Sequence, residues 1–259
     1  MECLGYIALI GVGIILGLTG GGGSVLSMPV LVYLFSIDVV AASAYSLFMV
    51  GITSMTGALV KQQEHFVDTS AGLWLGVPSM IASFSTRKWI VCAIPDVVIQ
   101  TDTLQITKRE VLLSTFAVLV VLSSLLMIFS KIKENAAQPS KGRTRLVPAG
   151  LIIGFLSGLA GMGGGFIILP ALIVLGRLSF HKAAGTALFV IAINSLLGFM
   201  GDVMNYSVNW FFLLSVTAFA IAGIFIGNRS ARLISGRRLQ TAFGWITLGV
   251  GFLILIMEW

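Results

Sequence analysis

The chain consists of long apolar runs interrupted only by short polar stretches, and this alternation limits what it can become. Five runs precede a basic stretch at Lys131–Arg145: Cys3–Thr19, Ser24–Phe35, Ala41–Val60, Ser70–Val91 and Val111–Ser130. Five follow it: Leu146–Ala160, Phe166–Gly176, Ala183–Met200, Trp210–Ile226 and Leu239–Met257. The runs are continuous rather than alternating, so they read as helices and not as barrel strands. The 259 residues are 57% hydrophobic and 10% charged. A soluble domain carries about 25% charged residues, and a surface this poor in charge cannot face water. The sequence predicts an all-α polytopic membrane protein. The second and seventh runs are only about 12 residues long, or ~18 Å of helix, short of the ~20 residues a full crossing takes.

The net charge is +6, and the lysines and arginines fall almost wholly between the runs. They read as topology determinants and headgroup contacts rather than a nucleic-acid surface. With all ten runs crossing and the N-terminus outside, twelve basic residues lie inside and four outside (Arg87, Lys88, Lys108 and Arg109). Merging each short run with its predecessor gives eight crossings, 4+4, and a poorer ten-to-six split. The count favours ten crossings. This divides the chain into a first transmembrane repeat (1–130), a basic cytoplasmic linker (131–145) and a second transmembrane repeat (146–259). Met1–Thr19 has no basic residue ahead of its apolar stretch, so it reads as a retained first helix rather than a cleaved leader. Cys3 and Cys92 form no pairing motif and read as buried thiols.

The halves repeat each other. Shifted by 141 residues, Gly13–Lys88 lies on Gly154–Arg229 without a gap, and eighteen of the 76 aligned positions are identical. Gly17, Leu18, Gly20, Gly22, Gly23 and Pro29 fall on Gly158, Leu159, Gly161, Gly163, Gly164 and Pro170. Apolar helices share leucines by chance, but not four glycines and a proline in register. An odd number of crossings per repeat inverts one half relative to the other, a common transporter arrangement. Beyond Lys88 the halves diverge, and Ile94–Thr107 reads as a surface loop.

The glycine runs carry the strongest chemical signal. Gly20, Gly21, Gly22, Gly23 and Ser24 are mirrored by Gly161, Met162, Gly163, Gly164 and Gly165. Four glycines in a row break a helix, since each costs about 1 kcal/mol relative to alanine. Each short helix then begins with free N–H groups and a positive dipole end at its loop, a backbone anion site that needs no basic side chain. Close packing is the competing reading, and it is preferred for Gly13, Gly17, Gly154 and Gly158. Pro29 and Pro170 are expected to kink the short helices. No Gly-Lys-Ser/Thr follows either run, so a nucleotide loop is not supported.

The third run of each half supplies hydroxyls and an amide: Ser46, Thr53 and Ser54, then Thr186, Asn194 and Ser195. These could complete an anion's hydrogen bonds or simply join helices. Lys61 reads as a helix-end lysine reaching the interface. His65 and His181 read as loop residues. No metal cluster, redox pair or activated nucleophile stands out, so neither an enzyme nor a cofactor is expected.

The duplicated pattern resembles the sulfite exporter TauE/SafE family, also called the 4-toluene sulfonate uptake permeases. The likeness rests on Gly17-Leu-Thr-Gly-Gly-Gly-Gly-Ser-Val-Leu-Ser-Met-Pro29, on Gly158-Leu-Ala-Gly-Met-Gly-Gly-Gly-Phe-Ile-Ile-Leu-Pro170, and on Ala183-Ala-Gly-Thr-Ala-Leu-Phe189 with its weaker counterpart Ala42–Phe48. Ser24 and Gly21 depart from their counterparts Gly165 and Met162, and Ser85–Thr107 does not look like the usual connection. The resemblance implies a transporter, expected to be an exporter, of sulfite, sulfonates and similar anions. The expectation is a multi-pass cell-membrane protein whose partners are a small anionic substrate and the lipid bilayer, with room for a homo-oligomer. Its substrate-binding set is Gly20–Gly23, Ser24, Ser46, Thr53, Ser54, Gly161, Gly163, Gly164, Gly165, Thr186, Asn194 and Ser195. A passive anion channel and a non-transporting scaffold are the rival readings.

Overall fold

Each apolar run forms a helix, because within lipid only a helix satisfies its own backbone. The computed structural model describes residues 2–91, 97–101, 104–129, 143–160, 164–203 and 208–258. The first half holds α1 (Glu2–Thr19), α2 (Gly23–Pro29), α3 (Val39–Gln63), α4 (Thr69–Ser85) and α5 (Lys108–Phe129). The second holds α6 (Leu146–Ala160), α7 (Gly165–Val174), α8 (Phe180–Val203), α9 (Trp210–Ala231) and α10 (Gly236–Glu258). Among the described residues, three stretches are long and apolar enough to cross a membrane: Ala41–Gln63, Phe180–Gly201 and Trp210–Ala231. Large apolar side chains face outward on the bundle, among them Phe129, Phe211, Trp245 and Ile256. Lipid, not water, suits such a surface.

Two expectations are corrected. The stretch read as a surface loop contains an antiparallel hairpin, β1 (Val97–Thr101) and β2 (Leu104–Thr107). The β-branched Val97, Val98, Ile99 and Ile106 suit a strand, whereas Pro95, Asp96 and Asp102 point to a loop. Cys3 is exposed rather than buried, because it lies in the first turn of α1, ahead of the packed part of that helix. Cys92 and residues 131–142 of the linker lie outside the described residues.

Helices of one half pack on helices of the other. α1 runs along α9 and α4 along α6; α3 packs on α8 and α5 on α10; α2 meets α7. Exchanging the halves leaves this set unchanged. Glycines allow the closest approaches. A Cβ on Gly13 would run into the carbonyl of Ala220, and one on Gly17 would lie 2.7 Å from that of Ile224. At the positions 141 residues on, a Cβ on Gly154 would run into the carbonyl of Ser79, and one on Gly158 would lie 2.9 Å from that of Ser83. All four glycines therefore serve helix contact, as the small-residue spacing implied.

The turns correspond as well. Ser36 and Arg177 hold φ of 54° and 51° at equivalent positions. Each is followed by a hydrogen bond of 3.2 Å, Ile37 N–H to Leu31 O and Leu178 N–H to Leu172 O. Asp68 caps α4 by accepting from Ala71 N, and Asn209 caps α9 by accepting from Phe212 N.

Candidate substrate site

The helix break after α1 lies inside the protein. Thr19 donates to Ile15 O and receives the N–H of Gly22 at 3.0 Å. Gly20 adopts φ of +74°, a conformation glycine takes without strain. On the other side, Gly164 holds φ of +68° and heads α7. The two breaks meet. A Cβ on Gly21 would lie 2.5 Å from the carbonyl of Gly165, and one on Gly165 would lie 2.9 Å from the Ser24 hydroxyl. Ser24 donates to Gly21 O at 2.8 Å.

The first break is closed over by protein. A Cβ on Gly20 would meet the Ala184 backbone, and one on Gly22 would meet the Phe243 ring and, at 2.8 Å, the Thr19 hydroxyl. On Gly23 it would meet Val12 and Leu16 of α1. Gly161 and Gly163 lie outside the described residues. Pro29 ends α2 at a π-helical turn, Val30–Leu34. Its missing N–H removes the bond to Val25 O, and Val30 N–H reaches both Leu26 O and Ser27 O. α7 continues through Pro170 to Val174.

The hydroxyls separate into distinct roles. Ser46 pairs with Ser27 at 2.6 Å, tying α3 to α2. Thr53 donates back to Met49 O. Thr186 donates to Lys182 O and accepts the N–H of Asp68 at 2.9 Å. Its counterpart Tyr45 does the same for Asn209 N–H, also at 2.9 Å. Thr186 and Tyr45 thus each anchor the cap of a helix in the opposite half. The Asn194 amide donates to the Ser79 hydroxyl at 2.7 Å, leaving its Oδ1 buried without a partner. The hydroxyls of Ser54 and Ser195, equivalent positions on α3 and α8, are also buried without a hydrogen-bond partner among the described residues.

This sealed arrangement of short helices, with glycine breaks back to back and helices paired across the halves, invites comparison with known membrane proteins. The chain matches the sulfite exporter TauE/SafE family over residues 6–254. It belongs to that family. Its relatives include a probable membrane transporter protein, YdhB, of Bacillus subtilis, 28% identical over 94% of this chain and 96% of the relative. A probable membrane transporter protein of Xylella fastidiosa is 25% identical over 96% of this chain and 92% of the relative. One from Methanocaldococcus jannaschii, MJ0441, is 24% identical over 75% of this chain and 68% of the relative. No solved structure matches the chain significantly.

Sequence reasoning missed one group in this TauE/SafE chain. Lys61, Glu64, Phe66, His181 and Arg232 line an open cavity of about 430 Å³ where α3 ends, α8 begins and α9 ends. Lys61 was expected to reach outward, yet it is 1% exposed. His181 was expected in a loop and instead lies in the first turn of α8. The bend after α3 explains the cluster. His65 takes φ of 58°, His65 N–H bonds Gln62 O, and Phe66 N–H bonds Lys61 O. This glycine-type helix ending folds Phe66 back over the last turn, with its ring 5.9 Å from the Lys61 ammonium. The one available signal was the basic and acidic residues spaced within Lys61–Phe66, and it does not reveal which distant helices close over them.

Proposed function

We propose that the protein is a cell-membrane transporter that exports small sulfur-containing anions such as sulfite or organosulfonates. Its ten segments would form two inverted five-segment repeats, with the substrate held where the glycine breaks meet. Contact between Gly21, Ser24 and Gly165 carries this reading, because it brings the N-terminal ends of two short helices from opposite halves together. Cross-half helix pairing and the matched turns at Ser36 and Arg177 support duplication. Ser54 and Ser195 supply buried hydroxyls with donors to spare, and a buried polar group without a partner costs about 1–3 kcal/mol unless something satisfies it. In the closed arrangement Gly20, Gly21 and Gly22 are covered by Ala184, Gly165 and Phe243 of the other half. Rocking one half against the other would uncover the amides of Gly21–Ser24 and Gly164–Gly165 for the anion.

Reconstituted protein tests this. Sulfite, sulfate, thiosulfate, sulfoacetate and taurine would be offered to proteoliposomes and flux followed in both directions. Saturable uptake with counterflow exchange is expected for at least one of them. A Ser54→Ala, Ser195→Ala double variant should bind that anion about 10- to 150-fold more weakly, the loss expected for one hydrogen bond to a charged group. Non-saturating flux without counterflow would mean a passive channel. Absence of binding, with a partner that co-purifies, would mean a scaffold.

A further inference from the structure

The cavity at the end of α3 combines features that point to an anion. Lys61 places a primary ammonium in it with almost no exposure to solvent. Arg232 is half exposed and pairs with Glu64 across 168 residues of chain. Two basic side chains therefore share the cavity with one carboxylate, whose second oxygen, Oε2, is buried without a hydrogen-bond partner among the described residues. His181 adds a ring whose Nε2 lies 3.4 Å from Ala231 O, with the Phe66 ring tilted against it at 5.8 Å.

One turn deeper on α9, on the same face as Arg232, Asn228 is 2% exposed. Neither its Oδ1 nor its Nδ2 has a partner among the described residues. Its backbone N would lie 2.8 Å from a Cβ on Gly17, three residues before the first glycine break. A Cβ on Gly185 would lie 3.2 Å from Lys61 Cβ, while its neighbour Ala184 is the residue against which Gly20 packs. The unpartnered amide thus lies one turn along α9 from Arg232 of the cavity and beside the helix turn that leads into the glycine break. This end of the molecule differs from its counterpart, since Lys61 and Glu64 align with Asp202 and Asn205 and His181 aligns with Val40.

We propose that this cavity is an anion-binding vestibule for a small divalent or monovalent oxyanion. The Lys61 ammonium and Arg232 guanidinium hold its charge, and Asn228 receives it on the way inward. Glu64 is the resident counter-ion that occupies Arg232 when the cavity is empty and is displaced by the arriving anion. The assignment extends the transport reading by naming the route to the glycine breaks, but its test does not depend on transport.

The test uses the full chain in detergent with Cys3→Ser and Cys92→Ser, and a single reporter introduced as His181→Cys. Its modification rate is measured with anionic sulfonatoethyl and cationic trimethylammonioethyl methanethiosulfonate, each normalised to its rate with a free thiol. The anionic reagent should react at least tenfold faster, and sulfate should slow it. Adding Lys61→Gln should remove most of that preference, and adding Glu64→Gln should increase it. Equal rates, a preference for the cation or indifference to Lys61→Gln would overturn the vestibule. Circular dichroism and gel filtration confirm that each variant is folded, and Arg232→Gln provides a second charge deletion should Lys61→Gln fail that check. Flux assays on the same preparations separate the two ideas. An intact charge preference without flux of any sulfur anion defeats the transport reading alone, and flux with no charge preference defeats the vestibule alone.

Discussion

Gly11 and Gly13 are two residues apart on α1 and face different surroundings. A Cβ on Gly11 meets nothing within 4 Å, whereas one on Gly13 meets backbone that cannot rotate away. Gly13→Ala and Gly154→Ala should each destabilise by about 1–3 kcal/mol, the range for overpacking. Gly11→Ala should be neutral or stabilising by up to about 1 kcal/mol through helix propensity. Melting temperatures of the purified variants check this, and a Gly13→Ala protein as stable as the parent would contradict the α1–α9 contact. Gly22→Ala is a less clean probe of anion binding, since its Cβ meets the Phe243 ring as well as any ligand. Asn194 and Thr56 offer a sharper contrast. Asn194→Ala removes a donor from the Ser79 hydroxyl and, on the proposed function, weakens anion binding. Thr56 only bonds back to Ile52 O of its own helix, so Thr56→Ala should leave binding within about twofold, an energy difference below ~0.5 kcal/mol. Equal losses of affinity in titrations of the two variants would assign Asn194 to packing.

Among the elements, α4 and α9 depend on capping from outside their own half. Asp68 and Asn209 each satisfy an N-terminal amide of the helix they begin, while their own N–H groups are taken up by Thr186 and Tyr45. Asp68→Ala and Asn209→Ala should each cost about 1 kcal/mol. Tyr45→Phe and Thr186→Val should cost a similar amount, about 0.5–1.5 kcal/mol, by removing the acceptor. Chemical denaturation followed by circular dichroism would measure these losses. A double variant, Thr186→Val with Asp68→Ala, should lose less than the sum, because both changes act on one junction. The residue pairing of Tyr45 with Thr186 was legible from the 141-residue shift. Its purpose was not, because the N–H groups these side chains hold belong to helices that no local pattern connects to them.

At the scale of the whole molecule, the cross-half pairs α1–α9, α4–α6, α3–α8 and α5–α10 make each half incomplete alone. Residues 1–130 expressed without the rest should therefore be degraded or aggregate, and co-expression with 146–259 should rescue them, as measured by protein in the membrane fraction. Orientation rests on the twelve-to-four distribution of basic residues. In a background lacking Cys3 and Cys92, a cysteine introduced by Ser140→Cys should resist impermeant thiol reagents applied to intact cells and react in inverted vesicles. Labelling from outside would favour eight crossings.

The sequence alone determined the helices. Apolar runs of helical length in a chain with so little charge can satisfy their backbones in lipid in few other ways, and the observed bounds follow the runs to within a few residues. It also pointed to a correspondence between the halves, since glycine and proline spacing is informative where leucines are not. It separated packing glycines on α1 and α6 from the helix breaks. Only the tertiary structure decided what each break faces, which hydroxyls are already occupied, and that Lys61, Glu64, Phe66, His181 and Arg232 share one cavity. Those residues come from the ends of three helices brought together by packing, and the Glu64–Arg232 pair joins positions 168 residues apart. Local pattern records the face and period of a helix, but the neighbour it meets depends on the shapes of all the helices at once.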